Sequence, residues 1–149
     1  MSAFHDEVTV EAPIEEAFAF AANPENALQF MENVIKVEKL TDGPAAKGTQ
    51  YRETREIRGR QASAVIEFTE YVPSAKFSVK SEMNGMETEY HYTFTKAGNQ
   101  TVIRFVCEIT AKTFKMKLIK PVFAKIMIKE DGDHLKHLKK AIEAQKQSE

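Results

Sequence analysis

The feature that most constrains this chain is a change of hydrophobic period at Thr113. From Val34 to Lys112 the pattern is a series of strand-like runs of period two, and beyond Thr113 apolar residues recur at helical spacing. A stretch with period two sends alternate side chains to opposite faces of a sheet. Turn residues at Asp42-Gly43-Pro44, Arg58-Gly59, Pro73-Ser74, Asn84-Gly85 and Gly98-Asn99 divide that stretch into about six strands. Segments 77–81 and 103–109 are apolar on one side and polar on the other, the pattern of antiparallel strands with one wet face.

The flanks complete the layout. Residues 3–12 alternate, with Phe4, Val8 and Val10 apolar, so they predict a first strand that Pro13 ends. Helix formers from Ile14 to Ala22, with two acids in the first turn, predict a short helix. Asn23-Pro24 interrupts it, and 25–31 predicts a second. After Thr113, steps of about 100° gather Met116, Ile119, Val122, Phe123, Ile126 and Met127 on one side, expected to cover the sheet. Lys117, Lys120, Lys125 and Lys129 fall opposite and read as a solvated face. Beyond Gly132 the residues Leu135, Leu138 and Ile142 point about 100° away from that stripe, which predicts a break near Asp131-Gly132. Pro121 predicts a further distortion. The expected fold class is α+β: an antiparallel sheet of about seven strands, two short helices after the first strand, and a long C-terminal helix. At 149 residues, one domain over 1–149 is expected.

Composition narrows the function classes. The formal net charge of −1 argues against general nucleic-acid binding. Charge is uneven, however: residues 112–149 hold 10 lysines against 5 acids, whereas 1–111 hold 11 basic residues against 17 acids. No run reaches the roughly 20 apolar residues that cross a bilayer, so stable membrane insertion is not expected. The opening Met1–Glu7 lacks the apolar core of a secretory signal, and Cys107, the sole cysteine, forms no internal disulfide. A cytoplasmic location is the resulting expectation.

Three blocks carry a resemblance to a known group. They are 8–20 (Val-Thr-Val-Glu-Ala-Pro-Ile-Glu-Glu-Ala-Phe-Ala-Phe) with Asn23-Pro24-Glu25, then 66–73 (Ile-Glu-Phe-Thr-Glu-Tyr-Val-Pro), then 133–138 (Asp-His-Leu-Lys-His-Leu). In this order they resemble the START-like (SRPBCC) superfamily of lipid-binding domains, plant pathogenesis-related ligand binders and polyketide cyclases. The resemblance implies the helix-grip fold, in which the sheet wraps around the long C-terminal helix with a cavity between them. The implied function is binding or transport of an apolar small molecule, lipid-like or aromatic. The alternative is a polyketide cyclase/dehydratase-like enzyme acting on a hydrophobic substrate in the same cavity. Fold alone does not choose between them.

Within that architecture, strand parity nominates the residues facing the cavity. They are Phe68, Phe77, Val79, Met83, Tyr90, Tyr92, Phe94, Phe105 and Cys107 from the strands, with Ile119, Phe123 and Met127 from the helix. The same residues, on their pattern alone, also suit a solid core. Strand 49–58 is different, since neither of its faces is apolar. Its better face carries Tyr51, Glu53 and Arg55. If it faces inward, Arg55 offers a contact to an anionic or carbonyl group and the tyrosines offer hydroxyls; if the strand lies at a sheet margin, both faces are wet. Glu53 and Arg55, two apart on a strand, are placed to pair. His134 and His137 share a helix face with Asp131 and Asp133 nearby, but no H-E-x-x-H pattern accompanies them, so a solvated surface is expected and no metal or cofactor. His91 has the outward parity.

Overall fold

The computed structural model describes residues Ser2 to Gln147; Met1, Ser148 and Glu149, at the ends of the expected domain, lie outside the described residues. The elements in chain order are β1 (Ser2–Val10), α1 (Ile14–Ala21), a 3-10 turn (Pro24–Asn26), α2 (Ala27–Phe30), β2 (Val34–Lys39), β3 (Gln50–Ile57), β4 (Arg60–Val72), β5 (Lys76–Met83), β6 (Met86–Ala97), β7 (Gln100–Ala111), α3 (Phe114–Asp131) and α4 (His134–Gln147). The strands form one antiparallel sheet in the order β1-β7-β6-β5-β4-β3-β2. This is the α+β helix-grip arrangement that the residue pattern and the resemblance predict.

Local chemistry sets the register. Arg58-Gly59 and Asn84-Gly85 both adopt positive φ at two successive residues, the turn whose twist matches two-residue hairpins, and they close β3–β4 and β5–β6. From β2 onward, successive strands are therefore neighbours. Strands β1 and β2 lie on opposite edges, so the connection through α1 and α2 crosses the sheet. That crossing carries Phe18, Phe20 and Phe30 onto the inner face, where Phe18 meets Phe94 edge-on at 5.1 Å.

The C-terminal helix is broken where the sequence predicts, by a turn at Gly132 and Asp133. A Cβ at Gly132 would sit 2.3 Å from the Ile128 carbonyl oxygen, so only glycine fits that close turn. Helix α3 continues through Pro121, where the sequence predicted distortion. Helix α4 packs on β1, α1 and α2, and its Leu135, Leu138 and Ile142 are buried. Helix α3 rests chiefly along β7.

Two expectations for this region fail. His134 and Asp131 are buried, not solvated. The break turns α4 so that the His134 ring meets Phe105 edge-on at 4.4 Å. Nor does the whole stripe 116–127 cover the sheet: Met116, Phe123 and Met127 are partly buried, whereas Ile119 and Val122 are exposed.

Candidate functional site

Between the inner face of the sheet and helices α2 and α3 lies a cavity of about 220 Å³. Strands β3 to β6 supply its Glu53, Arg55, Ile66, Phe68, Phe77, Val79, Tyr90 and Tyr92, and Met83 and Met86 flank the β5–β6 turn. Phe30, Met31, Phe123 and Met127 close the helical side. The lining is overwhelmingly apolar, as expected of small-molecule sites, which add only a few placed polar groups.

Of the residues nominated from sequence, Glu53, Arg55, Phe68, Phe77, Val79, Met83, Tyr90, Tyr92, Phe123 and Met127 line this cavity. Tyr51, Phe94, Phe105, Cys107 and Ile119 do not. Tyr51 packs edge-on to Phe68 at 6.2 Å. Phe94 and Phe105 are covered by Phe18 and His134, and Cys107 is fully buried beside Tyr90 in the ladder. Burial, with the Asp131 charge, pushes the Cys107 thiol up to about 12, which disfavours the nucleophilic thiolate. Ile119 is exposed at the margin of the inner stripe of α3. Parity identifies the inner face of a strand, but the strands here run past the cavity into a region filled by side chains of α1 and α4.

Strand β3 is the informative one. It lies between β2 and β4, and its inward Glu53 and Arg55 side chains are largely buried, at 12% and 16% exposure. Arg55 donates from Nε to Glu53 Oε1 at 2.7 Å and from Nη1 to both oxygens of Asp131, at 3.0 and 2.8 Å. Asp131 ends α3 and is 1% exposed; it also accepts from the Tyr90 hydroxyl. Burial alone lowers the affinity of Arg55 for its proton, but the Glu53 and Asp131 carboxylates outweigh it and hold the guanidinium above its usual range. One cation thus faces two carboxylates across the cavity wall, and a buried charge with several hydrogen bonds is the form in which charge survives burial.

A second chain of bonds locks the tyrosines. His134 Nδ1 lies 2.7 Å from the Asp131 carbonyl oxygen, which can only accept, so Nδ1 carries the proton. Nε2 therefore accepts from the Tyr92 hydroxyl at 2.9 Å. Burial lowers the His134 pKa, consistent with this neutral tautomer. Burial, with the Asp131 charge, holds the phenols of Tyr90 and Tyr92 well above their ordinary value, so both remain protonated donors. Both donors already have protein partners. Among the described residues, the Nη2 group of Arg55 has only a 3.6 Å contact to the Met31 sulfur, a weak acceptor, and both residues line the cavity.

Residue patterns missed several members of this site, Asp131, Phe30 and Met31 among them. Asp131 sits in the run Lys-Glu-Asp-Gly-Asp, which reads as solvated, and the one available signal was that an inward Arg55 needs a carboxylate partner. Phe30 and Met31 on the helical wall came without any periodic signal, because α2 is only 4 residues long. Among the described residues, no group of three or more His, Cys, Asp or Glu is placed to hold a metal ion. His91 lies on the outer face, with Nδ1 2.7 Å from Ser78 Oγ and Nε2 2.8 Å from Glu108 Oε1.

Comparisons with known proteins agree with this architecture. The chain is similar over 94% of its length to TTHA0849 from Thermus thermophilus, with 96% of that chain covered, a TM-score of 0.74 and 18% identity. It is similar to the Zhui aromatase/cyclase from Streptomyces sp. R1128, covering 94% of this chain and 92% of that one, with a TM-score of 0.72 and 12% identity. A START superfamily protein from Mycobacterium smegmatis gives a TM-score of 0.66 and 19% identity over 95% of this chain and 94% of its own. At these identities the likeness is one of fold. No curated protein matches in sequence. The family described as "Polyketide cyclase / dehydrase and lipid transport" matches residues 1–143, and the chain belongs to that family.

Proposed function

We propose that residues 1–149 act as a single cytoplasmic domain that binds or carries an apolar small molecule in the cavity beneath α3. The observation that carries this reading is that the cavity is walled mainly by Phe, Met, Val and Ile side chains, while four of its polar residues, Glu53, Arg55, Tyr90 and Tyr92, are bonded to protein partners. A wall of that kind rewards apolar area and offers little to a charged ligand. Size sharpens the reading. An apolar cavity of about 150 Å³ holds benzene, and pockets for drug-sized ligands start at about 300 Å³. At about 220 Å³, the cavity suits a compact aromatic or a short aliphatic molecule.

The contacting residues in this proposal are Phe68, Phe77, Val79, Met83, Phe123 and Met127 for the apolar body and Arg55 for a polar end, with Glu53 holding Arg55, Tyr90 holding Asp131 and Tyr92 holding His134. Because Arg55 faces two carboxylates, a neutral carbonyl or hydroxyl oxygen is the better match to Nη2 than an anion. Tyr51, Phe94, Phe105, Cys107 and Ile119 are assigned to packing or surface, not to the ligand. A cyclase- or dehydratase-like enzyme in the same cavity is the second reading, and it is favoured by Arg55, a cavity-lining cation whose Nη2 group would polarise a substrate carbonyl placed against it.

Native mass spectrometry of gently purified protein, followed by organic extraction, tests the first reading. The expected result is a stoichiometric adduct of an apolar compound, released unchanged on extraction. Recovery of a compound converted to a new product on incubation would replace carriage with catalysis. Failure of any apolar compound to bind during titration would remove both.

A further inference from the structure

Helix α3 is apolar on two sides. Its inner side gives Phe123 and Met127 to the cavity, and a helix lying on one sheet needs only one such stripe. Yet Phe114, Leu118 and Val122 point the other way, at 77%, 68% and 59% exposure. They are spaced i, i+4, i+8 and so fall along one strip of the helix surface over its first half. Single exposed apolar residues are ordinary, but an aligned set of large ones marks an interaction surface.

The charge around that strip is of one sign. From Lys112 to Lys129 the chain has six lysines and no acid. Lys112 is engaged with Glu82 and Glu87, whereas among the described residues Lys115, Lys117, Lys120, Lys125 and Lys129 form no ion pair. Lys115 and Lys117 flank the apolar strip, and Lys125 and Lys129 continue it toward the C-terminal end by helical geometry.

From this we propose that the outer side of α3 is a docking surface for an anionic lipid bilayer. The helix would lie in the plane of the interface, with Phe114, Leu118 and Val122 in the headgroup–acyl boundary and the lysines extending along it to lipid phosphates. Among the described residues no helix is long and apolar enough to cross a membrane, so α3 would rest on the surface and not insert through it. A second copy of the chain is the poorer partner. A two-fold contact would set the two lysine-rich strips against each other, whereas a fluid anionic surface places negative charge wherever a lysine falls. The docking surface stands whether or not the cavity holds a ligand.

Flotation of the purified full chain with vesicles of phosphatidylcholine alone, or mixed with phosphatidylserine, tests the proposal. Binding is expected to be about tenfold stronger to the anionic vesicles and to fall as salt is raised. The L118D/V122D variant should lose that binding while melting at the parent temperature, because both positions are exposed. K115E/K117E should lose it too without touching the apolar strip. Equal binding to both vesicle types, no binding to either, or undiminished binding by both variants would overturn the proposal. So would a lipid-free dimer that L118D/V122D converts to monomer in a protein that ignores vesicles, since the strip would then belong to a second copy.

Discussion

The two halves of the C-terminal helical segment do opposite jobs. In α4 the apolar residues Leu135, Leu138 and Ile142 are 0–4% exposed, packed on β1, α1 and α2. In α3, which is longer, Asp131 is the only fully buried residue, and the apolar side chains are divided between a cavity wall and the exterior. One half closes a solid core and the other roofs an open space. The difference teaches that helix length and apolar content do not measure how much a helix contributes to stability; what lies beneath it does. A buried leucine contributes on the order of 2 kcal/mol, and α4 has two of them fully enclosed.

The sharpest way to break the contrast is at the joint. Arg55→Met leaves Asp131 and Glu53 buried without their cation and is expected to cost about 3–5 kcal/mol, read as a shift in the urea midpoint. A loss under about 1 kcal/mol would show that the cluster is solvated and does not pin α3 to β3. Next comes Leu138→Ala in α4, expected to cost about 2–4 kcal/mol in the same assay through lost burial and the void it leaves. A neutral result there would erase the distinction between the halves.

A smaller effect is expected from pH. Because burial lowers the folded-state pKa of His134, the unfolded chain takes up its proton first. The stability from this group is complete above about 6.5 and declines as pH falls below it toward the lowered folded value. The stability gap between the parent and His134→Gln should therefore narrow in melts run from pH 7.5 down to 5.5; a constant gap would mean that the ring titrates normally. Smallest of all, Leu118→Ala on the outside of α3 should change stability by no more than about 0.5 kcal/mol. In hydrogen exchange, α3 amides should open at lower free energy than those of α4, and equal protection would contradict the roof description.

The alternation of strands, the turns at Arg58-Gly59 and Asn84-Gly85, and the break before α4 were legible because each depends on local chemistry: period, positive φ, and a phase shift in the apolar stripe. The inward face of β3 was half legible, since its parity was plain but its burial depends on Asp131, 76 residues away. His134 was misread because exposure of a histidine is set by the direction in which a helix leaves a turn, and composition does not encode that. Val122 and Ile119 were misread for a related reason: a helical wheel groups them with the apolar stripe, but does not show how much of that stripe the sheet covers.

The central claim is that the space beneath α3 receives an apolar molecule. It is tested most directly by titrating an environment-sensitive apolar fluorophore into the parent and into Ala64→Phe, whose new ring would project from the cavity wall into empty space. The account predicts saturable binding of one probe per chain in the parent, and loss of that site in Ala64→Phe with an unchanged or slightly raised melting temperature. Identical probe binding by the two proteins would contradict it.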